Sequence, residues 1–396
     1  MKSRITVIEL SNRFVKVMIG SVDKNQVIVH YVKKIPTRHV LENGSIVDRE
    51  NLLATLAKIN PINDEQYNIH ELIDDAVIIL PPYGLEIYGT TQITSVISKE
   101  RVIGNQDIIN IYSIISNKKL PVDNDLIDTI PEIYRIDSGE RYAVAPIGKI
   151  SRAISVQAKV HTLPKRINAE YSGVISSAGI NISHKVVSTF AISELFATYV
   201  DLPSDYFLID IGAYSTSVSL ISGSKLLASR SFAWGGDNIT ERIIECFNIN
   251  EKEAEHLKEL YGLDTRKMNF LYPITTSPDG EKKRYAEDLN QIISESLDKF
   301  VGLANVSIEQ LAVAYKVDTF RNLPFILTGG GSKLHGLLGY LKNKLNKEDI
   351  RIVAPRTIGA RDPSLCACLG AILVHKNHPG VVEDINTATT TVSRED

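Results

Sequence analysis

Near its start the chain alternates apolar and polar positions with the period of a strand. Ile5-Thr6-Val7-Ile8-Glu9, a polar stretch over 10–13 and Val15-Lys16-Val17-Met18-Ile19 predict strand, tight turn, strand, and 27–32 supplies a third strand. The same grammar returns far along the chain. Phe207-Leu208-Ile209-Asp210, a turn over 211–215, Val218-Ser219-Leu220-Ile221 and a strand over 225–232 repeat it, with an acid ending the first strand both times. Each copy runs into a predicted helix: Asp48 is placed to cap one beginning near Arg49, and Asp237 or Asn238 one over 239–247. Duplicated hairpin-plus-helix units predict two similar α/β domains facing each other. A third unit, Phe325-Ile326-Leu327-Thr328, then Gly329-Gly330-Gly331-Ser332, then Leu334, Leu337, Leu338 and Leu341, reads as strand, glycine turn and amphipathic helix.

Two insertions interrupt this frame. In 85–162 a helix capped by Asp107 carries Ile108, Ile111, Tyr112 and Ile115, and Ile154-Ser155-Val156-Gln157-Ala158-Lys159-Val160 alternates as a strand. The second, 235–301, is helical and polar, with Ser277-Pro278-Asp279-Gly280 marking a loop. The expected organisation is a first domain of 1–84 with 163–190 and 366–376, and a second of 191–234 with 302–365. The Thr-rich tail over 377–396 shows no amphipathic pattern and is expected to be mobile.

Composition narrows the classes. At 396 residues, against about 150 per domain, two or three folded units are expected. Apolar residues at 43% and charged residues at 23% exclude a disordered or collagen-like chain. The net charge of −3, without a clustered basic block, argues against nucleic acid as a partner. Cys246, Cys366 and Cys368 are too few for a disulfide framework or a four-ligand zinc site. No leader pattern follows Met1-Lys2-Ser3-Arg4, and no window approaches the roughly 18 apolar residues that span a bilayer. The expected place is the cytoplasm, with any membrane attachment through something short or a partner.

The candidate chemistry lies in the turns. Two facing hairpins, each ending in an acid and turning through small residues, can surround phosphate oxygens with backbone N–H groups. Glu9 and Asp210 would then hold Mg²⁺ through its water shell, and Lys16 would reach the same phosphates as a point charge. Taken singly, the acids are ordinary strand-end carboxylates and Lys16 a solvated strand lysine. Gly329-Gly330-Gly331 lets the backbone approach a ligand or forms a plain loop. Glu255 and Lys258, three apart on a helix over 251–261, project from one face; alone they would be a surface ion pair.

In this order the motifs resemble the actin-like ATPase superfamily, and within it the bacterial cell division family FtsA. Glu9 to Lys16 is similar to the first phosphate motif and 210–216 to the second; Ala178-Gly179-Ile180 to Glu194 resembles the first connecting helix, 326–336 the adenosine motif and 355–370 the second connection. The insertion resembles the family's subdomain 1C through Leu120-Pro121, Ile130-Pro131-Glu132-Ile133-Tyr134-Arg135-Ile136-Asp137, Pro146-Ile147-Gly148 and Val160-His161. The resemblance implies an α/β, actin-like fold of two duplicated ribonuclease-H-like domains with two inserted subdomains, 1C at 85–162 and 2B at 235–301. It implies ATP and Mg²⁺, with phosphate contacts from Glu9, Ser11, Asn12, Lys16, Asp210, Gly212, Ala213, Ser215 and Thr216. Gly235, Gly236, Glu255, Lys258, Gly329, Gly330, Gly331 and Lys333 would serve the rest of the nucleotide.

The chain also departs from the family. Glu9-Leu10-Ser11-Asn12 replaces Asp-x-Gly-Thr, and Ala213-Tyr214 replaces Gly-Gly, where a positive φ would cost about 1–2 kcal/mol. The position that activates water aligns with Ser188, too weak a base, so slow or absent hydrolysis is expected. The resemblance further implies self-association into filaments, other divisome partners at subdomain 1C, and an FtsZ C-terminal peptide at subdomain 2B. There Lys282, Lys283 and Arg284 could pair with acidic residues, and Ser296 stands where the family has an arginine. Such a protein works at the inner face of the cell membrane at the division site, yet nothing over 377–396 has the apolar face and basic rim of an interfacial helix. A PilM-like pilus-assembly scaffold binding an inner-membrane partner peptide, and a sugar-type kinase of the same superfamily, are the alternatives.

Overall fold

In the computed structural model, residues 4–118, 120–263, 273–276, 280, 283–318 and 322–378 are described. The chain divides into two units: 1–40, 44–191 and 370–396 form the first, 41–43 and 192–369 the second.

The predicted first hairpin forms from Ile5–Leu10 and Phe14–Asp23, with Glu9 directly opposite Lys16. Gln26–Pro36 extends it on one edge. On the other side Asp75–Leu80 and Asn181–Val187 add in parallel, giving a five-stranded sheet. Adjacent residues of Ile5–Leu10 point to opposite faces, yet Val7 and Ile8 are both fully buried, so both faces of the sheet are covered. Asp48 caps the helix Arg49–Leu56 as expected, accepting the Asn51 amide at 3.0 Å.

Within the same unit a four-stranded antiparallel sheet is built from Arg141–Tyr142, Asn124–Ile136, Ala153–Pro164 and Glu86–Ser95. Helix Asn105–Ser116 covers it, and Ile111, Tyr112, Ile115, Tyr134, Ile154 and Val156 close a separate core. The expected cap shifts: Gly104 precedes the helix, and Asp107 closes it from inside the first turn, accepting the Gly104 and Ile97 amides at 2.9 Å each.

The second unit repeats the topology of the first sheet: three antiparallel strands, then two added in parallel. Lys225–Phe232, Thr216–Ser222 and Tyr206–Ile211 form the antiparallel half, and Phe325–Thr328 and Ile350–Ile352 the parallel half. Phe207, Ile209, Val218 and Leu220 pack with Ile239 and Ile243 of helix Gly236–Phe247 and with Leu289, Ile293 and Phe300 of helix Ala286–Ala314. That last helix, 29 residues long, runs unbroken through position 301.

Three expectations are corrected. The helix predicted from 239 begins at Gly236; Gly235 is its cap, and Asn238 accepts the Gly235 amide at 2.9 Å. The glycine turn does not lead straight into an α-helix, because Gly330–Lys333 form a 3-10 turn and Gly336, at φ 80°, precedes the helix Leu337–Leu345. The segment read as a connecting helix after Ala178 is first the strand Asn181–Val187; only Ser188–Ala197 is helical. Among the described residues, no helix is long and apolar enough to cross a membrane.

Candidate functional site

In the first unit the hairpin geometry decides the fate of Lys16. Cross-strand partners on one face lie within side-chain reach, and the Lys16 ammonium meets Glu9 Oε1 at 2.8 Å, with only 8% and 14% of the two side chains exposed. The pair is therefore largely desolvated rather than a solvated strand lysine beside a strand-end acid. The turn closes through Ser11, whose amide and hydroxyl both donate to the Phe14 carbonyl, at 3.0 and 2.7 Å. Asn12 is buried beside it. Tyr171, which the sequence does not single out, is fully buried on helix Lys165–Ser177; burial first, then the Glu170 and Glu9 carboxylates, keeps its hydroxyl protonated.

In the second unit backbone meets backbone. The turn after Asp210 is closed by Gly212 N–H donating to Ser215 O at 2.9 Å. Its carbonyls are stitched to the start of helix Gly236–Phe247: Gly236 N–H donates to Gly212 O at 3.0 Å and Asp237 N–H to Ala213 O at 2.7 Å. Thr216 donates to Trp234 O at 2.8 Å, fixing the strand that leaves the turn. A Cβ at Gly235 would stand 2.4 Å from Ala213 O, so this approach requires glycine.

The glycine turn closes on the same acid. At Gly329, φ 85°, a Cβ would stand 2.3 Å from Asp210 Oδ1, and at Gly331 one would meet the Ile211 side chain at 2.4 Å. Gly330 lies between them, its would-be Cβ 3.8 Å from Ser364. Lys333 is exposed and pairs with Asp362 at 3.2 Å. Ala213 and Tyr214 carry no positive φ, so the missing Gly-Gly costs no backbone strain there. Burial, then Glu42 and Glu241, raises the Tyr214 hydroxyl.

Glu255 and Lys258 fall on the predicted helix, Glu251–Tyr261, and on one face of it. They are not a surface pair. Lys258 is 8% exposed, and its ammonium reaches Gly236 O at 3.0 Å, Thr240 Oγ1 at 2.8 Å and Glu255 Oε2 at 2.8 Å. Thr240, the hub of this network, was not foreseen. Its signal is its place one helical turn after Gly236, where a hydroxyl can reach back. Among the described residues no group of three or more His, Cys, Asp or Glu could hold a metal directly. A carboxylate against a glycine backbone, as at Asp210, suits an ion that keeps its waters.

The residues expected at a peptide surface scatter. Lys282 lies outside the described residues. Lys283 is exposed on the short strand Lys283–Arg284. Arg284 faces inward: it donates to Cys246 O at 2.6 Å at the end of helix Gly236–Phe247 and stacks over Phe247 at 5.3 Å. Ser296 is 4% exposed in the middle of its helix and offers no surface.

Residues 207–370 match the family model described as cell division protein FtsA. The chain is similar to the cell division protein FtsA of Bacillus subtilis (strain 168), 22% identical over 363 residues, covering 90% of this chain and 80% of the relative. The same holds for that of Enterococcus faecalis, 23% identical over 329 residues, covering 82% and 72%. That of Streptococcus pneumoniae is 22% identical over 364 residues, covering 91% and 77%. Among solved structures, a PilM-PilN type IV pilus biogenesis complex matches with TM-score 0.61 at 18% identity, covering 94% of this chain and 98% of that one. MreB 5 of Spiroplasma citri bound to AMPPNP matches with TM-score 0.55 at 15% identity, covering 97% and 99%. These structural likenesses show the expected actin-like fold.

Proposed function

We propose that the chain is a member of the FtsA family, whose model its residues 207–370 match and whose curated members it resembles over most of its length, and that it is an ATP-binding, polymerising scaffold of cell division that hydrolyses ATP slowly or not at all. In this reading it links the FtsZ ring to the inner face of the cytoplasmic membrane and contacts other division proteins through the 85–162 insertion. The observation that carries the nucleotide part is the close packing of glycine backbone on the Asp210 turn: Gly235 lies against Ala213 O, Gly329 against the Asp210 carboxylate and Ile211 O, and Gly331 against the Ile211 side chain. Three backbone segments brought this close to one strand-end acid would let backbone N–H groups face a phosphate with few side chains between. An actin-like neighbour described as bound to AMPPNP supports the same reading.

Asp210, and Glu9 on its own hairpin, would hold Mg²⁺ through its waters; the ion would neutralise phosphate charge. Ser188, the first residue of its helix, supplies only a hydroxyl, which supports slow hydrolysis. Membrane contact, direct or through a partner, and an acidic peptide near Lys283 complete the proposal.

The test is calorimetric titration of the purified protein with Mg·ATP, followed by phosphate-release assays and electron microscopy on a lipid monolayer with and without FtsZ. Binding with little phosphate release, and filaments on lipid, are expected. Phosphate release at ordinary ATPase rates would overturn the hydrolysis reading, and no heat of binding would overturn the nucleotide reading. For the peptide site, Lys283→Glu should weaken binding of an FtsZ tail peptide; unchanged affinity refutes that contact.

A further inference from the structure

In the 85–162 insertion two segments, 96–103 and 144–152, are laced into one layer. Val96 N–H donates to Arg152 O at 3.0 Å, Ser151 N–H to Arg101 O at 2.8 Å, Ile103 N–H to Lys149 O at 2.9 Å and Gly148 N–H to Ile103 O at 2.8 Å, and Val102 stands directly opposite Ile150. Val96, Ile103 and Ala145 turn inward onto the core beneath helix Asn105–Ser116. Their neighbours point the other way, where a layer with one solvated face ordinarily carries polar residues. Here those positions hold Ile97, Val102, Val144, Ile147 and Ile150, and all but Val102 are 54–75% exposed. Single exposed aliphatic side chains need no explanation, but five gathered on one hydrogen-bonded layer mark an interaction surface.

Charge identifies what the surface fits. The same two segments carry Lys99, Arg101, Lys149 and Arg152, all exposed, against a single acid, Glu100, which the Ser98 hydroxyl occupies at 2.9 Å. Aliphatic tips set among cations suit the boundary of a bilayer with anionic headgroups, where the tips enter the acyl region and the cations meet phosphate. A nucleic acid would ask for aromatic faces on which bases stack, and these outward positions are all aliphatic. We propose that the layer formed by 96–103 and 144–152 is a lipid-docking surface that inserts Ile147 and Ile150 into the interface of an anionic membrane. This rests on the membrane part of the reading above and deepens it by naming a direct contact. Docking needs little ordering, because Asp107 already holds the Ile97 amide at 2.9 Å and the ladder fixes Val102 and Ile150.

The experiment sediments the intact protein with vesicles of phosphatidylglycerol and phosphatidylcholine, or of phosphatidylcholine alone. It compares wild type, Ile147→Gln/Ile150→Gln, Lys99→Gln/Arg101→Gln and Ile150→Trp, with thermal melts to confirm folding. Wild type should bind the anionic vesicles alone and lose affinity as salt rises. Lys99→Gln/Arg101→Gln should bind about 25-fold more weakly, at about fivefold per cation. Ile147→Gln/Ile150→Gln should lose about tenfold or more. Ile150→Trp should keep its affinity, and its added emission should shift to the blue on the vesicles and be quenched by brominated acyl chains; the native Trp234 is buried in the other unit. Unquenched emission in Ile150→Trp, or wild-type affinity in Ile147→Gln/Ile150→Gln, overturns the proposal and leaves membrane attachment standing. So does a wild type that reaches lipid only when FtsZ is added, since attachment then runs through the partner. If Ile147→Gln/Ile150→Gln abolishes self-association while lipid binding persists, the surface joins copies of this chain and the proposal fails. No recruitment to lipid with or without FtsZ overturns both readings.

Discussion

His161 makes a quantitative test of the first unit's interior. It lies opposite Asp128 in the ladder between Asn124–Ile136 and Ala153–Pro164, is 2% exposed, and its Nδ1 has no hydrogen-bond partner. Its ring packs edge-on against Phe190 at 4.8 Å. Burial lowers its pKa from 6.5 to about 4; Asp128 opposes the shift and Lys159 adds to it. Asp128 is itself taken by His184 Nε2 at 3.0 Å, so its carboxylate is shared. The folded state keeps His161 neutral while an unfolded chain takes a proton below pH 6.5. Stability is therefore intact above 6.5, falls as pH drops toward 4 and levels off below it. Each pH unit in that window costs about 1.4 kcal/mol, and the whole shift about 3 kcal/mol. His375, lowered to about 4 by burial and then by His184, acts in the same direction. The single tryptophan, Trp234, lies in the second unit, so fluorescence would miss this event. Hydrogen exchange of peptides around 153–164, measured across urea and corrected for intrinsic rates, reads the first unit directly. His161→Gln should remove about 1.4 kcal/mol per pH unit from the slope between pH 6 and 5. Identical slopes in wild type and variant would refute the argument.

Lys16→Met should destabilise the first unit by about 2–3 kcal/mol, because it takes the ammonium away from the largely buried Glu9 carboxylate; Glu9→Gln added to it should restore most of the loss in thermal melts. Gly370→Ala would place a Cβ 1.8 Å from Ala191 O, backbone against backbone, and should cost about 3 kcal/mol or more by the same measurement. Gly302→Ala, exposed inside helix Ala286–Ala314 with open space around it, should instead raise stability by about 0.8 kcal/mol.

Both hairpins were legible in the sequence because a period of two, an acid at the strand end and small turn residues are local signals. So was helix Glu251–Tyr261. Helix starts were read less well, since Gly104 and Gly235 carry no capping side chain and the signal sits three residues later, in Asp107 and Asn238. Asn181–Val187 reads as helix only through the resemblance of 178–194 to a connecting helix; its strand state comes from pairing with Asp75–Leu80. What each charge does was not legible at all. Lys258 and Arg284 look like surface cations in sequence, and only tertiary neighbours reveal that one clamps a helix start and the other closes a helix end.

The glycine pattern of the site carries the same lesson further. Against the Gly-Gly expected from the resemblance, Ala213-Tyr214 suggests a weakened turn after Asp210. Yet neither residue has a positive φ, and the turn closes through Gly212 and Ser215. The demand for glycine falls instead on the neighbours that press against the turn: Gly235 against Ala213 O, Gly329 against Asp210 and Gly331 against Ile211. Losing a glycine inside a turn costs little when the backbone stays at negative φ. Losing one that lets a second backbone segment approach costs an overlap that no rotamer relieves. Substitution at Ala213 should accordingly be tolerated better than alanine at Gly329, where a positive φ and a 2.5 Å overlap with the Ile211 carbonyl oxygen act together.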